Sequence, residues 1–175
     1  MSKIDFSDIN VPELIADMWE PLTEEQREYL SEHFTIQNFK KNEVVHFEGE
    51  TPTHLMCLLT GKVKIYKDGV GGRSQIIRMM KPVEYFGYRA YFSEQAYVTA
   101  AAAFEPSVIC LIPMTVITKL IRQNNDLAMF FIKQLSNDLG MSDTRTVNLT
   151  QKHIRGRLAE SLLFLKESYG IEEDG

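Results

Sequence analysis

Short runs of branched and aromatic residues fill the chain from Ile36 to Ile112, and Gly, Pro, Asn or Asp separate them. The runs are FTIQNF, EVVHFEG, HLMCLLTG, KVKIYKDG, SQIIRMM and SVICLIP. Runs of this length and composition predict strands. The glycines of KDGVGGRS predict a hairpin, because glycine adopts positive φ at low cost. Several short strands at regular spacing favour a sandwich or a barrel closed on itself.

The segments on either side of this β region are helical in pattern. In PLTEEQREYLSEHF, Thr23 and Gln26 have the spacing of a capping box, which predicts a short N-terminal helix. From Met114 to about Val147 the chain contains no proline. That stretch predicts one continuous helix of roughly 50 Å, which is longer than the small β domain before it.

Apolar residues recur every fourth position on this long helix, at Leu127, Phe131, Leu135 and Leu139. Because the helix extends past its own domain, we expect part of this stripe to pack against the same helix of a second copy. Phe130 and Ile132 lie off the stripe and are expected to face the β domain. The simpler alternative is that the whole helix lies across its own β domain.

A last helical segment, QKHIRGRLAESLLFLKESYG, follows a predicted hinge at Asn148 to Thr150. Its apolar face is formed by Ile154, Leu158, Leu162 and Leu165. Nothing later in the sequence is long enough to cover that face. We therefore expect a further domain beyond Gly175 to cover it.

The overall charge limits what this chain contacts directly. It has 24 acidic and 19 basic residues and a net charge of −5, so it lacks the basic surface expected of a protein that binds nucleic acid directly. Cys57 and Cys110 lie in apolar runs and predict buried thiols in a reducing cytoplasm. The N-terminus has no signal-peptide pattern and no apolar run approaches a membrane span, so we expect a cytoplasmic protein without membrane contact.

Catalytic and metal-binding patterns are missing from the sequence. It has no nucleophile beside a base, no glycine-rich phosphate loop that opens a helix, and no triad of metal ligands. We therefore expect neither an enzyme nor a metal site.

Four segments, taken in order, resemble the Crp/Fnr family of bacterial transcription regulators. FEGETPTHLMCLLTGKVKIY resembles the hairpin of the family's β-roll, with Gly49 and Gly61 at its turns. YFGYRAYF, followed by TAAAAFEPSVICLIP, resembles the phosphate-binding cassette and the strands after it. LIRQNNDLAMFFIKQLSNDLG resembles the dimerisation helix, and IRGRLAESLLFL resembles the first helix of the DNA-binding domain. The likeness covers roughly residues 20 to 170.

The resemblance implies a mainly β fold with helices. A double-stranded β-helix, or jelly-roll-like β-roll, would be flanked by a short N-terminal helix and a long C-terminal dimerisation helix. Residues 1–113 would form the N-terminal helix and the sensor roll, residues 114–149 the dimerisation helix, and residues 150–175 the hinge and the first helix of a truncated winged-helix domain. The implied partners are a second copy through residues 114–149, DNA through a domain beyond residue 175, and RNA polymerase for the full-length protein.

The implied effector pocket has lost its usual charges. Family members that bind cyclic AMP have a cassette that reads approximately F-G-E-L-A, and R-[ST]-A follows. There the glutamate accepts the ribose hydroxyl and the arginine neutralises the phosphate. Gly87 and Ala90 match the glycine and the alanine of this cassette, which shape its backbone. Tyr88 stands at the glutamate position, and Tyr97 and Val98 stand at the positions of the arginine and its hydroxyl neighbour. The resemblance therefore implies a regulator that does not respond to cyclic AMP.

Other positions leave alternatives open. Arg89 lies one residue after the glutamate position and either reaches the pocket from another wall or stays solvated. Ser142 and Asp143 fall where cyclic-AMP binders carry purine-reading hydroxyls, and are either effector contacts or an exposed polar turn. The alanines at 100–103 either leave room for a ligand or make a tight sheet contact. The full candidate effector pocket is Gly87, Tyr88, Arg89, Ala90, Tyr97, Val98, Ser142 and Asp143.

The effector itself is not identified by the sequence. Two cysteines cannot supply the four thiolates of an iron–sulfur cluster. His33, His46 and His54 lack a partnering motif for haem, so haem is disfavoured as well. The alternative function is a cyclic-nucleotide-binding regulatory module like those attached to kinases or channels. The segment IRGRLAESLLFL speaks against it, because such modules do not continue into this helix.

Overall fold

The computed structural model describes residues 10–69, 71–151 and 153–169. The chain divides into two compact units, Met1–Phe130 and Phe131–Gly175. The first unit contains every strand of the described residues, and the second contains most of the last two helices.

Three short helices precede the strands: α1 (Val11–Leu14), α2 (Ala16–Trp19) and α3 (Glu24–Ser31). The capping box predicted for α3 is confirmed. The Gln26 amide donates to Thr23 Oγ1 at 3.3 Å, and the Thr23 amide donates to Gln26 Oε1 at 3.2 Å. The sequence does not predict α1 and α2, because a single turn is too short to show an apolar period.

The described residues form eight strands in two antiparallel sheets, with the orders β1-β8-β3-β6 and β2-β7-β4-β5. The strands are β1 (Thr35–Phe39), β2 (Val44–His46), β3 (His54–Thr60), β4 (Val63–Asp68), β5 (Ser74–Met80), β6 (Tyr85–Phe86), β7 (Ala100–Ala103) and β8 (Ser107–Pro113). The predicted β-roll is confirmed, including the β4–β5 hairpin, where Gly71 and Gly72 have φ of +87° and +76°. The sequence does not reveal β6, because two residues form no pattern.

An apolar core lies between the two sheets. Its members are Phe39, Met56, Leu58, Val63, Met80, Phe86, Ala90, Tyr97, Ala101, Ala103 and Ile109. Every alanine of β7 is buried, and β7 pairs with β2 on one side and with β4 on the other. The tight sheet contact is therefore the better of the two interpretations of the alanine run.

Both cysteines are buried, as predicted, and lie opposite each other on neighbouring strands. Cys57 of β3 is the register partner of Cys110 of β8. Burial raises the pKa of Cys110 to about 12 and raises that of Cys57 further, because a thiolate is poorly solvated in an apolar interior. Both thiols are therefore protonated near neutral pH and unreactive as nucleophiles.

The prediction of one unbroken helix from Met114 is wrong. The structure has α5 (Met114–Gln123) and α6 (Asn125–Gln151), separated by Asn124 in an extended conformation with φ −141° and ψ 106°. The Asn124 Oδ1 accepts hydrogen bonds from the amides of Asp126 at 3.0 Å and Leu127 at 3.1 Å. Asn124 thus caps the start of α6, because its side chain satisfies amides that lack a helical partner.

The faces assigned to α6 from sequence are partly wrong. Leu127 and Phe131 are buried in the single chain, so they are not available to a second copy. Ile132, expected to face the roll, is 52% exposed, and Leu139 is 64% exposed. Phe130 behaves as expected, since its ring packs edge-on against Tyr85 of β6 with centroids 5.4 Å apart. The exposed apolar face of α6 therefore includes Ile132 and Leu139.

The hinge predicted at Asn148 to Thr150 is helical, and α6 continues through Gln151. The next helix, α7 (Ile154–Tyr169), begins after the break. Its leucines at 158, 162 and 163 are exposed. Among the described residues, no helix combines the length and the apolarity needed to cross a bilayer.

Candidate functional site

The cassette predicted from sequence is a tight turn followed by a short helix. Gly87, with φ of +89°, precedes α4 (Tyr88–Phe92). A Cβ atom at this position would lie 2.9 Å from the His54 carbonyl oxygen and would clash with Met56 Cε. Only glycine fits, because both the left-handed backbone and the contact with β3 exclude a side chain.

The first three residues of α4 alternate between the interior and solvent. Tyr88 and Ala90 are buried, and Ala90 belongs to the core between the sheets. Arg89 is exposed. The solvated alternative for Arg89 therefore agrees with the structure better than an inward position does.

The aromatic ring of Tyr97 occupies the interior of the roll. Tyr97 is 7% exposed and is part of the core between the sheets. Its ring stacks on the imidazole of His46, with centroids 3.8 Å apart and planes inclined by 23°. A Cβ at Gly87 would lie 3.2 Å from the Tyr97 hydroxyl oxygen, so that hydroxyl is next to the cassette turn.

The backbone of Tyr97 is held as firmly as its ring. The Tyr97 amide donates to the Glu50 carbonyl oxygen at 2.9 Å, and the Gly49 amide donates to the Tyr97 carbonyl oxygen at 2.7 Å. The Glu50 carboxylate accepts from the Phe47 amide at 2.8 Å and so orders the same loop. The loop after β2 and the segment before β7 are therefore held together at Tyr97.

Burial controls the ionisation of the stacked pair. It lowers the pKa of His46 to about 4, although the nearby Phe47 backbone and the Glu50 charge oppose the shift. Burial, aided by Glu50, raises the pKa of Tyr97 to about 12. The His46 Nδ1 atom is buried without a hydrogen-bond partner among the described residues. Both rings are therefore neutral near pH 7, and their contact is an apolar one.

Acid is expected to weaken the roll through His46. The pKa of this imidazole is about 4 in the folded chain, whereas a fully solvated histidine has a pKa of 6.5, so the unfolded chain takes up the proton first. Stability should therefore fall as the pH drops from about 6.5 towards 4, by about 1.4 kcal/mol per pH unit and up to about 3 kcal/mol. Denaturant titrations of the wild type and His46→Phe at pH 7 and pH 5 measure this contribution.

His33→Gln is the matched control, because His33 is an exposed histidine. The wild type and His33→Gln should lose about 2 kcal/mol more between pH 7 and pH 5 than His46→Phe does. Equal losses in all three proteins would show that His46 is not a buried neutral group.

The outer rim of the cassette carries a neutralised cation. Val98 is 47% exposed, and its carbonyl oxygen accepts a hydrogen bond from Lys67 Nζ at 2.9 Å. The same ammonium is 2.6 Å from Glu48 Oε1. Lys67 is therefore engaged at the surface and does not supply the charge that is lacking at position 97.

Ser142 and Asp143 lie on α6 in the second compact unit, and both are exposed. The structure therefore brings together Gly87, Tyr88, Ala90 and Tyr97 in one place and leaves Arg89 and Val98 at its surface. For Ser142 and Asp143, an effector contact stays a prediction.

His46, Glu50 and Lys67 are the residues near this site that sequence reasoning misses. The sequence offers His46 only as a haem ligand, since its place in a short strand gives no hint of Tyr97, which is far away in sequence. Throughout 10–69, 71–151 and 153–169, no group of three His, Cys, Asp or Glu side chains is placed to hold a metal ion.

A family model for the cyclic nucleotide-binding domain matches residues 36–124, about half of the chain. The chain belongs to the cyclic nucleotide-binding domain family. The matched residues run from β1 to the end of α5 and include the whole cassette. In this member of the family, the hydroxyl of the buried Tyr97 lies beside the cassette turn.

Relatives of this cyclic nucleotide-binding domain include transcription regulators. An uncharacterized protein of Haemophilus influenzae is 32% identical over 116 residues, which are 66% of this chain and 87% of that protein. The CRP-like cAMP-activated global transcriptional regulator of Mycobacterium tuberculosis is 23% identical over 138 residues, 79% of this chain. The match spans 62% of that regulator's length.

The fold of the domain is shared with solved structures. A Eubacterium rectale protein assigned to the Crp/Fnr family of transcriptional regulators superposes with a TM-score of 0.76 at 15% identity, and the match covers 86% of this chain and 70% of that protein. The relatives and structural neighbours of this domain thus include transcription regulators of the Crp/Fnr type.

Proposed function

We propose that this chain is the effector-sensing and dimerisation part of a DNA-binding Crp/Fnr-type transcription regulator that does not respond to cyclic AMP. The observation that carries the proposal is the buried ring of Tyr97, stacked on His46 at the position where the family's cyclic-AMP binders carry an arginine. The ring both removes the charge that would neutralise a cyclic phosphate and occupies the interior of the roll.

The missing charge alone has a large effect. Removal of one partner from a buried, hydrogen-bonded ion pair costs about 2 to 5 kcal/mol. That corresponds to a roughly thirtyfold to several-thousandfold loss in affinity. Tyr88, at the position of the ribose-binding glutamate, is buried as well and offers no carboxylate. Together these replacements favour an effector other than a cyclic nucleotide, or none.

Titration calorimetry with cyclic AMP and cyclic GMP tests the effector part of this proposal. We expect no binding heat for either nucleotide at concentrations up to about 1 mM, since even a micromolar binder weakened a thousandfold would reach only millimolar affinity. A micromolar dissociation constant for either nucleotide would instead support the alternative, a genuine cyclic-nucleotide-binding regulatory module.

The partners proposed for the whole regulator follow from the family. A second copy would bind through residues 114–149, where Ile132 and Leu139 offer an exposed apolar face. DNA would be bound by a domain beyond residue 175, since the net charge of −5 disfavours DNA binding by residues 1–175. RNA polymerase would be a partner of the full-length protein. The role is regulatory, and we expect no catalytic activity from this chain.

A further inference from the structure

A groove on the surface of the first unit lies outside the roll interior. It has a volume of about 320 Å³, within the range of roughly 300 to 1,000 Å³ that small-molecule clefts occupy. Its lining is Tyr91 of α4 and five residues of α5: Thr115, Thr118, Lys119, Arg122 and Gln123. The groove therefore joins the cassette helix to the helix that follows the last strand.

The sequence of α5 puts all five of its lining residues on one face. Counted from Thr115, they recur at i, i+3, i+4, i+7 and i+8, which is the period of a single helical face. The opposite face, with Met114, Ile117 and Leu120, is buried. An exposed polar face is ordinary for a surface helix. Here the ring of Tyr91 stands beside that face as a second wall and makes it concave.

The groove's walls are held in place by contacts of their own. Thr118 Oγ1 lies 3.3 Å from the Tyr91 hydroxyl oxygen and donates to the Met114 carbonyl oxygen at 2.7 Å. Lys119 Nζ lies 3.9 Å from the ring centroid of Tyr29 on α3, a cation–π contact. The site is thus preorganised by three helices of the same unit, which reduces the entropy lost when a ligand binds.

The charge of the groove is opposite to that of the chain as a whole. The lining contains two cations, Lys119 and Arg122, and no carboxylate, although the chain carries a net charge of −5. Among the described residues, neither cation lies within 4.0 Å of a carboxylate oxygen. Two unneutralised cations beside hydroxyl and amide donors form the donor set that recognises phosphate and carboxylate groups.

We propose that this groove binds a small organic anion that carries a phosphate or carboxylate group. The Arg122 guanidinium and the Lys119 ammonium bind the anionic group, the Thr115 hydroxyl adds a hydrogen bond, and the ring of Tyr91 contacts the apolar part of the ligand. Because Tyr91 belongs to the cassette helix, the ligand contacts α4 and α5 together. This inference does not depend on whether the full-length protein binds DNA or on whether cyclic AMP binds inside the roll.

Titration calorimetry of the full chain at roughly 0.1 M ionic strength, where the Debye length is about 10 Å, tests the site, with pyrophosphate as the phosphate probe and citrate as the carboxylate probe. We expect at least one of the two probes to bind with a dissociation constant of about 1 mM or tighter. The double variant Lys119→Gln with Arg122→Gln should bind at least about tenfold more weakly, because it loses both charge-assisted contacts. The probe that binds identifies the anionic group.

The matched control removes two other cations of the same unit, Lys40→Gln and Arg73→Gln, both exposed and outside the groove. Its affinity for the probes should stay within about twofold of the wild type, because neither of these cations lines the groove. Two results would overturn the proposal: no binding of either probe to the wild type, or an equal loss in both double variants, which indicates attraction to surface charge in general.

Discussion

Gly87→Ala is expected to destabilise the roll by about 3 kcal/mol, a large part of the roughly 5 to 15 kcal/mol by which native domains are stable. Two terms contribute. The left-handed backbone, with φ of +89°, costs an L-residue about 1 to 2 kcal/mol. The new methyl group would also press on the His54 carbonyl oxygen and on Met56, and overpacking of this kind costs about 1 to 3 kcal/mol. Denaturant unfolding followed by circular dichroism measures the loss.

Gly49→Ala separates these two terms. Gly49 has nearly the same backbone, with φ of +86°, but a Cβ there would meet nothing within 4 Å. We expect this control to lose about 1 kcal/mol from the backbone term alone. Equal losses at the two glycines would show that the cassette turn does not pack closely against β3.

Ile132→Asp is expected to convert the proposed dimer into monomers, weakening association at least about 100-fold. Ile132 is half-exposed in the single chain, and in the dimer an aspartate would place an unpaired carboxylate in an apolar interface from each copy. Sedimentation velocity of the full chain at micromolar concentration should show the monomer mass for the variant and the dimer mass for the wild type.

Asn137→Asp adds the same charge to another face of α6. Five residues along a helix correspond to a rotation of about 140°, so position 137 points away from the face of Ile132. Asn137 is exposed, and we expect its variant to remain dimeric. Dimers that persist in Ile132→Asp, or a wild type that is monomeric, would contradict the proposed interface.

The β-roll is predictable because its signals are local. Each strand except β6 and β7 carries enough branched or aromatic residues to be recognised, and β7, which consists of alanines, is expected only from the resemblance. The glycines at 49, 61, 71 and 72 mark turns with positive φ. The α5–α6 break is not predictable, since Asn124 resembles any polar residue on a helix. Its capping role depends on the amides of Asp126 and Leu127, and its Nδ2 also donates to the Pro21 carbonyl oxygen at 2.9 Å.

The faces of α6 cannot be derived from periodicity alone. The stripe of Leu127, Phe131, Leu135 and Leu139 is apolar throughout, yet its first two members are buried in the chain and Leu139 is exposed. A repeat of four residues drifts around a helix of 3.6 residues per turn, so a long stripe does not stay on one face. Periodicity identifies an apolar helix; which part is free for a partner depends on tertiary packing.

The position of the candidate site is predictable from the sequence, but the side chains that fill the roll interior are not. The resemblance locates the cassette at Gly87 and the missing charges at Tyr88 and Tyr97. Whether the roll interior is open or filled depends on His46, which is 51 residues before Tyr97 in sequence and stacks on it only in the folded chain. Contacts between distant residues of this kind leave no pattern in a single sequence.

A crystal structure determined with several millimolar cyclic AMP tests the central claim most directly. We expect the Tyr97 ring to be stacked on His46, its hydroxyl to lie beside Gly87, and the roll interior to contain no nucleotide density. A cyclic nucleotide seated between the cassette and β7, with the Tyr97 ring displaced, would contradict it.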